Sequence, residues 1–172
     1  MQQLLLKQDQ TIFGFKNEDE NDLALTAKIE VDSEDKQAGG FAQNVINGVH
    51  RDHPEVCNAW ISDSKDGLPQ SITLTLEKTE NVGEIHITAD TDQAYPRSST
   101  RAFVDFDFTA THLTAECFDG EKWIKVFEIT DNYRRKIIAK FEPQKTEKVR
   151  VTVHTTTGAT CTKLNEIRIY RA

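Results

Sequence analysis

Gln70-Ser71-Ile72-Thr73-Leu74-Thr75-Leu76-Glu77 places an apolar side chain at every second position, Ile72, Leu74 and Leu76 alternating with Ser71, Thr73 and Thr75. Successive side chains of an extended chain point to opposite faces, so a period of two describes a strand buried on one side only. The same alternation recurs outward in both directions: Ala27, Ile29 and Val31 before this stretch, Ile85, Ile87 and Ala89 after it. Val104-Phe106-Phe108, Leu113-Ala115-Cys117, Trp123 to Ile129, Ile137-Ala139-Phe141, Val149-Val151-Val153 and Ile167-Ile169 repeat it towards the end of the chain. Parallel strands covered on both faces would read as unbroken apolar runs, so these are antiparallel. Asn47-Gly48, Asp66-Gly67, Asn81-Val82-Gly83, Asp119-Gly120 and Thr157-Gly158 punctuate them as turns. The expected fold is all-β: an antiparallel two-sheet β-sandwich of the jelly-roll type, with one short helical turn at Ala42 to Ile46.

A chain of 172 residues suits one such domain. Residues 1–26, with the acidic run Lys16-Asn17-Glu18-Asp19-Glu20-Asn21-Asp22, read as a lead-in or linker from a preceding domain, and residues 27–172 as the sandwich. The first ten residues carry no basic segment, long apolar stretch or cleavage site and resemble the end of a helix, the mark of a module excised from a longer protein. The net charge of −7 removes the electrostatic basis for nucleic-acid binding. Apolar runs such as Leu4-Leu5-Leu6 fall far short of the roughly 20 residues of a membrane-spanning helix, so membrane insertion is not expected. Cys57, Cys117 and Cys161 are far apart, odd in number and without C-x-x-C spacing, which favours three reduced thiols.

Two kinds of constellation stand out from the strand pattern. His50-Arg51-Asp52-His53 with Cys57 has a spacing that tempts a zinc reading. It sits on a loop and lacks a fourth ligand, so a solvated surface loop is favoured. No nucleophile elbow, metalloprotease helix or phosphate loop is present, and catalysis is not expected. Asp90 and Asp92 end one strand and are followed by Tyr95 and Arg97; Tyr133, Arg134 and Arg135 follow another strand. Paired carboxylates at such a place could serve a hydrolase or a cation, but strand-end turn formation is the commoner use. Rings and guanidinium forks on loops at one end of a sandwich suit a polar ligand, the ring stacking on a sugar's apolar face and the forks binding hydroxyls or carboxylates. The same residue types equally suit docking onto a neighbouring domain. Arg51, Trp60, Asp90, Asp92, Tyr95, Arg97, Tyr133, Arg134 and Arg135 are therefore the candidate ligand-binding set.

Several motifs carry a family resemblance in order. Asn44-Val45-Ile46-Asn47-Gly48-Val49, Ala59-Trp60-Ile61-Ser62 and Leu68-Pro69-Gln70-Ser71-Ile72-Thr73-Leu74 resemble the opening of discoidin-like, or coagulation-factor type C, domains of the galactose-binding-like jelly rolls. Asp119-Gly120-Glu121-Lys122-Trp123, Lys148-Val149-Arg150-Val151 and Glu166-Ile167-Arg168-Ile169-Tyr170 resemble the second half of that family. The resemblance implies a non-catalytic accessory module that binds carbohydrate or another polar extracellular ligand through loops at one end. It also implies a structural calcium held by Asn47 and Glu166, although Asn47 stands where the family has a carboxylate and Ser71 where it has tryptophan. No other cofactor is expected in the domain. The lead-in, Asp90-Thr91-Asp92 and Asn132-Tyr133-Arg134-Arg135 further resemble the C-terminal module of large bacterial flavin-dependent oxidoreductases. That narrower likeness implies an exported parent protein, extracellular or periplasmic, whose catalytic domain is the alternative partner.

Overall fold

The computed structural model describes residue 17 and residues 19–52, 56–91 and 107–172. Among these, seven strands carry the fold: β1 (Lys28–Val31), β2 (Trp60–Ile61), β3 (Gln70–Ala89), β4 (Ala110–Phe118), β5 (Trp123–Ile129), β6 (Lys136–Thr156) and β7 (Lys163–Arg171). Helix is confined to two 3-10 turns, Leu23–Thr26 and Ala42–Ile46. Every strand pairing is antiparallel, in the order β2-β7-β3-β6-β4-β5 with β1 on β3. None of the described helices is long and apolar enough to cross a membrane.

β3 and β6 each belong to both layers. The first half of β3 pairs with β1 and with the second half of β6, which continues into β4 and β5. Register shifts at Thr75/Glu80 and Val82/Glu84 interrupt the ladder, and the second half of β3 pairs with the first half of β6 and with β7. The apolar faces of both halves meet in one core that includes Ile72, Leu74, Val151, Leu113, Ile85, Ile87, Leu164 and Ile169. Burial of such side chains, at about 1.5–3 kcal/mol each, is the main force holding the layers together.

Four sequence expectations are corrected. Asn81-Val82-Gly83 is not a turn between two strands but the register break within β3. A Cβ on Gly83 would lie 2.8 Å from the Cβ of Ala172, so glycine lets the strand pass close under the end of β7. Likewise Ile137 to Phe141 and Val149 to Val153 form one strand, not two. The acidic lead-in also belongs in part to the domain. Asp22 is buried, caps the first 3-10 turn through Ala24 N (3.0 Å) and accepts a hydrogen bond from Ile169 N (3.0 Å) in β7. Of the Val104-Phe106-Phe108 strand, Val104 and Phe106 lie outside the described residues and Phe108 occupies a turn.

Chain connectivity decides what gathers at each end. The short segments 130–135 and 157–162 join the two layers at one end, where β3 begins beside Val153 and finishes beside Leu164. The hairpin Asp119 to Lys122, the register breaks and the end of β7 occupy the other.

Candidate functional site

The turn between β5 and β6 is built on Asn132. This buried amide donates to Ala110 O (2.8 Å) and Arg134 O (3.0 Å) and accepts from Arg134 N (3.0 Å), while its backbone N–H donates to Thr111 O (2.9 Å). With the turn pinned to β4, the next residue has no core to enter, and Tyr133 is 78% exposed. The Arg134 guanidinium lies 5.8 Å from the Tyr133 ring centroid, within cation–π range. Arg135 turns back towards the protein: its carbonyl accepts from Ala89 N (2.8 Å) and its guanidinium donates to His50 O. Residues 50, 89 and 135 are thereby adjacent.

Beneath them lies a buried ionic network. Lys163 Nζ is 2.5 Å from Asp52 Oδ2 and 2.8 Å from Asp90 Oδ2. Asp52 Oδ1 accepts from Asn58 N (2.7 Å) and Asn165 Nδ2 (3.3 Å). Burial alone would lower the ammonium's pKa, but Asp90 and Asp52 outweigh it and hold Lys163 above the ordinary lysine value. One cation therefore ties the 47–58 loop to the ends of β3 and β7. Above it the balance is reversed. Arg135 is pushed below the ordinary arginine value by burial and then by Arg51, with Asp90, Asp52 and Glu166 opposing. His50 is likewise lowered by burial; Glu166 pulls it up, and Arg135 and Arg51 push it down.

No protein-family model and no curated protein matches the sequence. Solved structures do. The family 32 carbohydrate-binding module of NanJ from Clostridium perfringens, in complex with galactose, superposes with a TM-score of 0.68 at 19% identity, over 88% of this chain and 98% of that one. CpGH89CBM32-5 from the same organism, in complex with GalNAc-β-1,3-galactose, gives 0.65 at 20% identity over 87% and 99%. The family 32 module of Streptococcus pneumoniae EndoD gives 0.68 at 15% identity over 88% and 99%. The chain shares the discoidin-like β-sandwich fold of these modules.

The structure divides the candidate residues. Arg51 and Tyr133 to Arg135 stand at the loop end, with Arg51, Tyr133 and Arg134 exposed. Trp60 is corrected to a core residue: it is fully buried, and its Nε1 donates to Ser33 O (2.9 Å), which leaves no ring face for a ligand. Asp90 is at the same end, buried, with its carboxylate held by Lys163. Asp92, Tyr95 and Arg97 lie outside the described residues. Lys163 and Asn165 are the residues that sequence reasoning did not assign, and His50 and Asp52, expected on a solvated loop, are half-buried and tied to Arg135 and Lys163.

Among the described residues no three His, Cys, Asp or Glu side chains converge as a metal site, and all three cysteines are free thiols. His53, part of the zinc pattern, is not among them. The calcium expected at Asn47 and Glu166 does not fit the oxygens present. Calcium needs six to eight oxygen ligands. Asn47 Oδ1 accepts from Val49 N (2.8 Å), Val49 O from Asn58 Nδ2, and Asn58 O from Asn165 Nδ2 (3.1 Å). N–H donors thus already engage these three oxygens. Glu166 Oε1 is buried without a hydrogen-bond partner, but its other oxygen pairs with Arg168 (2.9 Å), and Arg135 adds to the cationic surroundings.

Proposed function

We propose that the domain is a non-catalytic carbohydrate-binding module that holds its ligand on the loop end formed by Arg51 and the Tyr133–Arg135 turn. The observation that carries the reading is an exposed ring and exposed guanidiniums, fixed by a buried asparagine, at one end of a fold shared with modules solved in complex with sugars. A tyrosine face offers an apolar platform for a pyranose ring, and the forks offer paired donors. The non-catalytic reading is supported by Asp90, whose carboxylate is held by Lys163 and is not available as a general base. A glycan array probed with the wild-type protein and Tyr133→Ala tests the reading. Signals lost in the variant support it, and a blank array for a folded wild-type protein overturns it.

The alternative is docking onto the catalytic domain of a larger flavin-dependent enzyme. Exposed Phe41, Val56 and Ile138, at 46%, 40% and 48%, favour it. On this reading the array stays blank and substitution of those apolar residues improves solubility of the isolated domain. Either way the parent is read as an exported protein, a proposal that fractionation of the native host tests.

A further inference from the structure

The described arginines fall into two groups. Arg150, Arg168 and Arg171 each hold a glutamate: Glu116 at 2.7 Å, Glu166 at 2.9 Å and Glu80 at 2.8 Å. Arg51, Arg134 and Arg135 hold no carboxylate within ion-pair distance among the described residues. Scarcity of partners is not the cause, because the chain carries 28 Asp and Glu against 21 Lys and Arg. The carboxylates nearest to Arg135 are already engaged, Asp52 and Asp90 by Lys163 and Glu166 by Arg168. Asp131, in the same turn as Arg134, makes no ion pair among the described residues. Arg51 and Arg135 are close enough to oppose each other's charge, and both disfavour a charged His50.

A protein of net charge −7 that gathers on one end guanidiniums unpaired among the described residues has left a place for a negative charge from outside. We infer that this surface takes an acidic saccharide, a sugar unit bearing a carboxylate or a sulfate ester, with Arg51 and Arg135 holding the anion and Tyr133 the ring. The inference rests on the carbohydrate reading above and narrows it. Guanidinium forks match both anions, and binding one would relieve the repulsion between the two arginines. The half-buried position of Arg135, anchored on His50 O, holds its fork before any ligand arrives.

Affinity electrophoresis in native gels containing polygalacturonate, carrageenan or neutral galactan tests this, because a protein of net negative charge is not drawn to polyanions by its overall field. The expected result is retardation by polygalacturonate or carrageenan, the stronger of the two identifying carboxylate or sulfate, with galactan weaker. Retardation should diminish as salt rises. Arg51→Gln should lower the affinity about tenfold or more, as loss of one charged hydrogen-bonding group does. Arg135→Lys, which keeps the charge and loses the fork, should weaken it less, and Arg171→Gln, paired with Glu80 at the far end, should change nothing. Equal retardation by galactan, or retention of acidic-gel binding in both Arg51→Gln and Arg135→Lys, overturns the acidic class and leaves the carbohydrate reading standing. No retardation in any gel overturns both.

Discussion

Lys163 is a single side chain joining three segments: Asp52 in a loop, Asp90 after β3, and its own strand. Removing one member of such a buried set leaves a stranded charge, so Lys163→Met should cost about 3–5 kcal/mol in urea denaturation. The pH dependence follows from the raised pKa. A lysine that holds its proton more tightly when folded contributes fully below the unfolded value of about 10.4, and the contribution fades as pH climbs above it. Wild type should therefore lose stability steeply from about pH 10 upward, and Lys163→Met less steeply. The remaining slope comes partly from Cys117, whose thiol burial pushes up to about 12. Tyr133 and Trp60 make the opposite pair of cases. Tyr133→Ala should change stability by under about 0.5 kcal/mol while removing ligand binding, whereas Trp60→Ala should cost about 3–5 kcal/mol. The sequence made Tyr133 legible because a ring and two arginines interrupt a regular strand pattern. Lys163 was not legible, since a lysine in a strand ordinarily faces water and nothing local reveals two aspartates that are 111 and 73 positions earlier.

At the scale of elements, alternation located the strands because each has one wet face. It could not show that β3 and β6 continue through both layers, because a glycine in a strand and a glycine in a turn look alike in a sequence. Only the approach of Ala172 distinguishes them. Gly83→Ala should accordingly destabilise the domain by about 1–3 kcal/mol through overpacking. Adding Ala172→Gly should recover part of that loss, and a double-mutant cycle by thermal melting measures the coupling. Strict additivity would mean that the crossing does not constrain the bulge. The lead-in shows a related limit. Its acidic composition reads as linker, yet Asp22 is drawn inward by two backbone N–H groups that need an acceptor.

For the whole molecule, the fold was readable from period and turn chemistry, but the state of its loop end was not. The expectation of calcium came from a resemblance in which Asn47 already departed from the pattern; in the structure Asn47, Asn58 and Asn165 form an amide network there. Millimolar calcium and chelator should each leave the melting temperature of the wild type within about 1 °C, since a ligand that does not bind the folded state cannot shift it. A clear rise with calcium would show that the amides yield their oxygens to the metal. An ammonium joined covalently to the chain also cannot be washed out, exchanged or competed away. In surroundings rich in polymeric carboxylates, which withdraw divalent ions from their neighbours, a domain fastened by Lys163 would keep its loops in place where one fastened by calcium would begin to lose them.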